Sequence, residues 1–251
     1  MKICLIAAAA CGLLLAGGAQ SAELKILSSG AMREIIIELL PQFEKSSGNK
    51  AAITWAGTAD IKKQIAGGDA YDLVIVGAPE IDAFIQAGKL RAGSRVDLVR
   101  SGVGIAVKAG APKPDISSAA AVKTALLAAK SVAYSTGPSG VYVQKLFDKL
   151  GIAEQMKAKS KQTVSGTRVG QYIERGEADI GFQQISELIH EQGIDYLGPL
   201  PPDIQNITLY SSGIFSVAKN ADAAKALQTF LAAPAAAPVI KKNGMEPVAP
   251  N

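Results

Sequence analysis

Cysteine is almost missing from this chain of 251 residues: only Cys4 and Cys11 occur, both within the first 22 positions. Beyond them no disulfide, thiolate nucleophile or Cys-based metal site can be built. Histidine is scarcer still. His190 stands alone, so a His-rich metal centre or a Ser-His-Asp triad is hard to assemble. A strong charge of one sign is also lacking. The 26 basic and 22 acidic residues leave a net +4, spread along the chain, which does not argue for nucleic acid. No repeat at solenoid periods is visible. No cofactor and no metal are expected.

What is present begins with "MKICLIAAAACGLLLAGGAQSA", an early Lys, an apolar stretch from Ile3 to about Ala16, then small residues. That is the layout of a secretory signal peptide over residues 1–22. The apolar stretch is short for a spanning helix, which needs about 20 residues. Cleavage is expected between Ala19 and Ala22. A lipid anchor at Cys11 is not favoured, since "AAAAC" lacks the usual Leu and more apolar sequence follows.

From Leu24 onward, short apolar runs alternate with amphipathic segments, the pattern of an α/β fold with mostly parallel sheets. "LKIL", "AAITW" and "DLVIV" read as strands. "MREIIIELLPQFEKSSG", "ADIKKQIAGG" and "PEIDAFIQAGKL" read as the helices after them, with Pro41 expected to end or kink the first. A second unit follows with strands in "GVGIAV", "SVAY", "QTV", "DIGF" and "IDYLGPL". Its helices lie in "AAAVKTALLAAK", "YVQKLFDKLGI", "RVGQYIERGE" and "ISELIHEQG". "ITLYSSGIFSVAK" is strongly β-like, and two Ala-rich helical segments run from Ala221 to Lys242. Two lobes are expected, residues 23–100 plus 211–251 and residues 101–210. Val103–Val107 and Ile207–Val217 are the candidate crossing segments.

Ligands in open α/β sheets bind beyond the carboxyl ends of strands, at helix N-termini. Four turns there are rich in small polar residues: "SSGAMRE" (Ser28, Ser29, Gly30), "AGTADIKKQ" (Thr58), "STGPSGVY" (Ser139, Gly140) and "SGTRVGQ" (Gly166, Arg168). Each hydroxyl alone is accounted for as a helix cap. Four such starts, two per lobe, supply free N–H groups and hydroxyls able to hold a small anion.

In order and spacing, "ILSSGAM…QFEKSSG", "TADIKKQIAGGDAYDLVIVGAPE", "GPSGVYVQKLFDKLG" and "YIERGEADIGF" resemble the molybdate-binding periplasmic proteins of ABC transporters, within the two-lobed, hinged receptor superfamily of the type II periplasmic-binding fold. The resemblance covers essentially the whole chain after the leader. It implies a periplasmic monomer that closes on a small anion and presents it to an ABC permease. Carried over by residue, it places the family's first serine ligand at Gly30, with Ser28 and Ser29 just before it. The second serine falls at Thr58. Backbone donors fall at Ser139 and near Gly166, and the binding tyrosine falls at Gln184. Two side-chain ligands are therefore altered. Arg168 is added, and its planar fork suits a carboxylate, with Gln183 and Gln184 as further donors. An organic di- or tricarboxylate is favoured over molybdate. Arg33 is left out, as a charge on the helix surface.

"SGVGIAVKAGAPKPDIS", "GPSGVY" and "GEADIGFQQISEL" resemble a side branch of this fold, the aconitate isomerases. The alternative reading is therefore an enzyme that interconverts cis- and trans-aconitate. Such an allylic proton shift needs a base within about 3 Å of the acidic carbon and donors for the dienolate. The donors are present. Glu34, Tyr142 and Tyr210 are candidate bases, none of them selected by the sequence, and His190 reads as a surface residue. N-terminal sequencing of the natural protein is expected to begin near Ser21 to Glu23; an intact Met1 on a cytoplasmic pool would remove the basis for export.

Overall fold

A computed structural model describes residues 22–248, so the leader expected over residues 1–22 lies almost wholly outside the described residues. In chain order the first strands and helices are β1 (Glu23–Ser29), α1 (Arg33–Ser47), β2 (Lys50–Ala56), α2 (Thr58–Gly67), β3 (Leu73–Gly77) and α3 (Ala78–Gln86). Then follow β4 (Val96–Lys108), α4 (Ala119–Ala128), β5 (Val132–Tyr134), α5 (Pro138–Lys149), α6 (Ala153–Lys157), β6 (Ser160–Gln162) and α7 (Val169–Glu174). The chain continues through β7 (Ile180–Gln184), α8 (Ile185–Leu188), β8 (Ile194–Pro199) and β9 (Ile207–Ile214). It closes with α9 (Ala221–Ala232), α10 (Ala237–Lys242) and β10 (Glu246–Pro247).

The strand order β2-β1-β3-β9-β4-β7-β5-β6 turns on one long strand. Over Val96–Gly102, β4 pairs antiparallel with β9, which in turn pairs with β3. From Val103 onward the same strand pairs antiparallel with β7 and β8 instead. The outer pairs β1–β2, β1–β3, β5–β6 and β5–β7 are parallel, as short runs joined through helices require. Separate apolar cores form on either side of the crossover. One gathers Ile26, Ile35, Leu39, Phe43 and Tyr210, and the other gathers Ile105, Val143, Leu146, Phe147 and Phe182.

The expected elements are all present, with three differences. Helix α1 runs through Pro41 to Ser47 rather than ending there. The carbonyl that Pro41 leaves without an N–H partner belongs to Ile37, whose side chain is exposed, so solvent can satisfy it. "ISELIHEQG" forms a single turn, Ile185–Leu188, rather than a full helix. The "GVGIAV" strand starts earlier than expected, at Val96, because β9 lines up alongside it.

Candidate functional site

Strand ends and helix starts from both sides of the crossover meet in one cleft. Ser29 and Gly30 end β1 and begin the turn into α1, which carries Arg33 in its first residue. Trp55 and Ala56 end β2, and Gly57 precedes α2. From the other side come Ser135, Thr136, Gly137 and Pro138 ahead of α5, Thr167 and Arg168 ahead of α7, and Gln183 and Glu187 around the β7–α8 junction. Three direct contacts span the cleft: Gly57 N–H donates to Ser165 Oγ at 3.1 Å, Ser186 Oγ donates to the Ala31 carbonyl at 3.0 Å, and Arg168 pairs with Glu34.

Glu187 is the group that the sequence did not single out. It lies three residues past the end of β7, the position where strand-end side chains enter such clefts. That placement was the available signal. Gln183 fixes it: its amide oxygen accepts from Val169 N–H at 2.8 Å, and its Nε2 donates to Glu187 Oε1 at 2.8 Å. Part of the Glu187 surface remains open to the cleft, yet protein crowds the carboxyl closely enough for desolvation to dominate. Burial pushes its pKa up to about 7, against the pull of Arg168, the Gln183 hydrogen bond and Arg33.

Two guanidiniums accompany it. Burial disfavours the charge on Arg168, but hydrogen bonds to Glu191, at 2.5 Å, and to Glu34 outweigh burial and hold its pKa above the ordinary value. Arg33 lies 4.9 Å from the Trp55 ring centroid, a cation–π contact. Burial, then the neighbouring Arg168, lowers its pKa.

Of the residues chosen from the sequence, Ser29, Gly30, Gly166, Arg168 and Gln183 line the cleft. A β-carbon on Gly30 would come within 3.1 Å of Glu187 Oε1. A serine hydroxyl at that position would therefore crowd the carboxyl. Ser28 is fully buried on the other face of β1, its hydroxyl donating to the Ser29 carbonyl at 3.2 Å. Ser139 Oγ lies 2.9 Å from Ser135 Oγ and is buried behind the wall, so Ser135 and Thr136 face the cleft in its stead. Gly140 packs on the backbone: a β-carbon there would sit 1.6 Å from the Ser135 carbonyl oxygen, which no side chain tolerates. Gln184 is buried at the crossover. With its amide oriented to satisfy both ends, it donates to the Gly102 carbonyl at 3.0 Å and accepts from Thr208 Oγ1 at 3.1 Å. Thr58 begins α2 and lines an adjoining crevice that shares Pro138 with the cleft. Its buried hydroxyl has no hydrogen-bond partner among the described residues.

The bases considered from the sequence are otherwise engaged. Glu34 is paired with Arg168, Tyr142 donates to the Ile204 carbonyl at 2.6 Å, and Tyr210 is wholly buried, its pKa raised by that burial. His190 is exposed. Among the described residues no group of His, Cys, Asp and Glu is arranged to hold a metal ion.

Residues 24–246 match the family model described as bacterial extracellular solute-binding protein. The chain belongs to that family. It is 38% identical over 231 residues to an aconitate isomerase of Pseudomonas sp, covering 90% of this chain and 88% of that one. It is 27% identical over 237 residues to the molybdate-binding protein ModA of Azotobacter vinelandii, covering 92% of each. Among solved structures, the Azotobacter vinelandii periplasmic molybdate-binding protein superposes with a TM-score of 0.75 at 19% identity, over 91% of this chain and all of that one. The fold is thus that of the two-lobed type II periplasmic binding proteins, with β4 running through both sets of strand pairings.

The raised pKa of Glu187 has a consequence for stability. The folded protein keeps that proton where the unfolded chain has lost it. The contribution is complete below about pH 4.5 and disappears as pH rises through about 7. Denaturant titrations are expected to show the wild type losing about 3 kcal/mol relative to Glu187→Gln across that window, and parallel curves for the two proteins would contradict it.

Proposed function

We propose that this protein is an exported isomerase acting on a small unsaturated tricarboxylate, interconverting cis- and trans-aconitate in the cleft between its lobes. The observation that carries this reading is Glu187, a carboxyl with a pKa near 7 beside two guanidiniums. A base for proton abstraction works best with a pKa near the working pH. The cations counter the charge that such a substrate brings into the cleft.

The steps balance on one base. Ionised Glu187 takes a proton from the substrate's methylene carbon, and the C–H electron pair moves into a dienolate. The proton then returns to the former vinyl carbon, the double bond settles one position along, and Glu187 is ionised again. Gln183 holds Oε1 throughout, leaving the second oxygen without a protein partner among the described residues and available for the transfer. Arg33 and the small polar groups at Ser29, Thr136 and Thr167 bind and orient the carboxylates and stabilise the dienolate, and the charge of Arg168 adds to the positive field of the cleft. The 38% identity to an aconitate isomerase supports the same chemistry.

The order of preference drawn from the sequence, receptor first and isomerase second, is therefore reversed. The sequence offered donors but no base, and Glu187 supplies one. A receptor that delivers a small carboxylate to an ABC permease remains the second reading. The unpartnered Thr58 hydroxyl and the likeness to a molybdate-binding protein favour it. Gly30 speaks against a tetrahedral metal oxyanion, because it has no hydroxyl to offer and a side chain there would press on the Glu187 carboxyl. Lobe boundaries at residues 23–100 plus 211–251 and 101–210, a monomeric state and a periplasmic location belong to this proposal.

Ultraviolet absorbance of cis- or trans-aconitate should drift to a common equilibrium value when purified protein is added. Glu187→Gln should slow that drift at least about 100-fold while preserving binding. Saturable binding of aconitate by the wild type with no change in absorbance would restore the receptor reading.

A further inference from the structure

The fork of Arg168, chosen from the sequence as the ligand's carboxylate clamp, is already taken on two sides. Glu34 accepts from one terminal nitrogen and Glu191 from the other. Arg33 differs. It lines the same cleft from the first turn of α1, and no hydrogen bond or ion pair engages its five N–H donors among the described residues. Glu34, Glu187 and Glu191 act on it only through space. Among the described residues its guanidinium lies over the face of Trp55, at the end of β2. An aromatic face supports a guanidinium while leaving the N–H edge free to bind an anion. A half-buried cation with unused donors is costly, and a bound carboxylate relieves that cost.

We propose that Arg33, carried on the face of Trp55, grips a carboxylate of the ligand beside Glu187, and that Arg168 instead joins the two sides of the cleft through Glu34 and Glu191. Trp55 is then a positioning residue, acting through Arg33. This assignment rests on the reading of the cleft as a polycarboxylate site. It also gives the proton transfer a direction. The carboxylate next to the carbon losing its proton gathers negative charge as the dienolate forms, and a bidentate guanidinium there stabilises that charge.

The test uses propane-1,2,3-tricarboxylate, which has no double bond to shift, titrated into the full chain. Trp55 is the chain's one tryptophan, so its emission reports on the subsite directly, and calorimetry supplies Kd for variants lacking it. Saturable quenching or enhancement is expected in the wild type. Arg33→Ala should raise Kd roughly ten- to a hundredfold, and Arg33→Lys should recover part of the loss. Arg33→Gln covers the case in which the alanine variant fails to fold. Trp55→Phe should keep affinity within about threefold, while Trp55→Leu should lose about tenfold with the fold intact by circular dichroism. In aconitate turnover, Trp55→Leu should raise KM more than it lowers kcat, a split that a purely structural role would not give.

An unchanged Kd in Arg33→Ala and Arg33→Gln would overturn the assignment. Because the analogue does not react, the two readings fail separately. Weakened binding in the Arg33 variants with no turnover by the wild type keeps the subsite and removes the isomerase. Turnover lost only through Glu187→Gln, with Kd unmoved by Arg33, removes the subsite and keeps the isomerase. Failure of the wild type to bind the analogue at all would overturn the subsite.

Discussion

Glu187 stays partly protonated near neutral pH because lost hydration outweighs the pull of Arg168 and Arg33, and the other contacts of the cleft are arranged around that balance. Gln183 holds one carboxyl oxygen and is itself held by the Val169 amide, so the carboxyl sits on a backbone-anchored support. Gly30 leaves the space that the carboxyl fills from across the cleft. Removing either cation would raise the cost of ionising Glu187, and removing the crowding would return it to an ordinary surface carboxylate. A group that can both take and give a proton at pH 7 results from these opposed effects.

The same cleft is bridged by contacts from both of its sides. Arg168 bridges Glu34 on one side of the crossover to Glu191 on the other, and Gly57–Ser165 and Ser186–Ala31 add neutral hydrogen bonds across the gap. Ion pairs so little exposed are worth little net free energy, but losing one partner leaves an uncompensated charge. The network therefore specifies how the two sides meet more than it stabilises the fold. β4 changes partners at Gly102–Val103, so one continuous strand joins the two sets of strand pairings.

Much of the architecture was legible in the sequence, because strand and helix periodicities were strong and Gly and Pro marked their ends. Pro41 does not end α1, since a helix can run through a proline when the freed carbonyl faces solvent. The site was legible by position and less so by side chain. Residues of the strand-end turns line the cleft, yet within "STGPSGVY" the hydroxyl of Ser139 turns inward to Ser135, and Thr136 faces the cleft. The choice between Gln183 and Gln184 depends on strand alternation, which puts neighbours on opposite faces. Arg33 reads as a surface charge until Trp55, 22 positions away, is seen beside it. Glu187 was hidden inside a segment taken for a helix, and its pKa depends on partners from β7, α1 and the α7 start that no local pattern reveals.

The central claim is that the cleft holds a carboxyl poised for proton transfer near neutral pH. The most direct test is the carboxyl carbon-13 resonance of Glu187, assigned by its loss in Glu187→Gln and followed as a function of pH in protein carrying labelled glutamate. A midpoint near 7 is the predicted result. A midpoint in the ordinary glutamate range, about 4.3, would mean that the carboxyl is solvated and ionised throughout, and it would contradict the account.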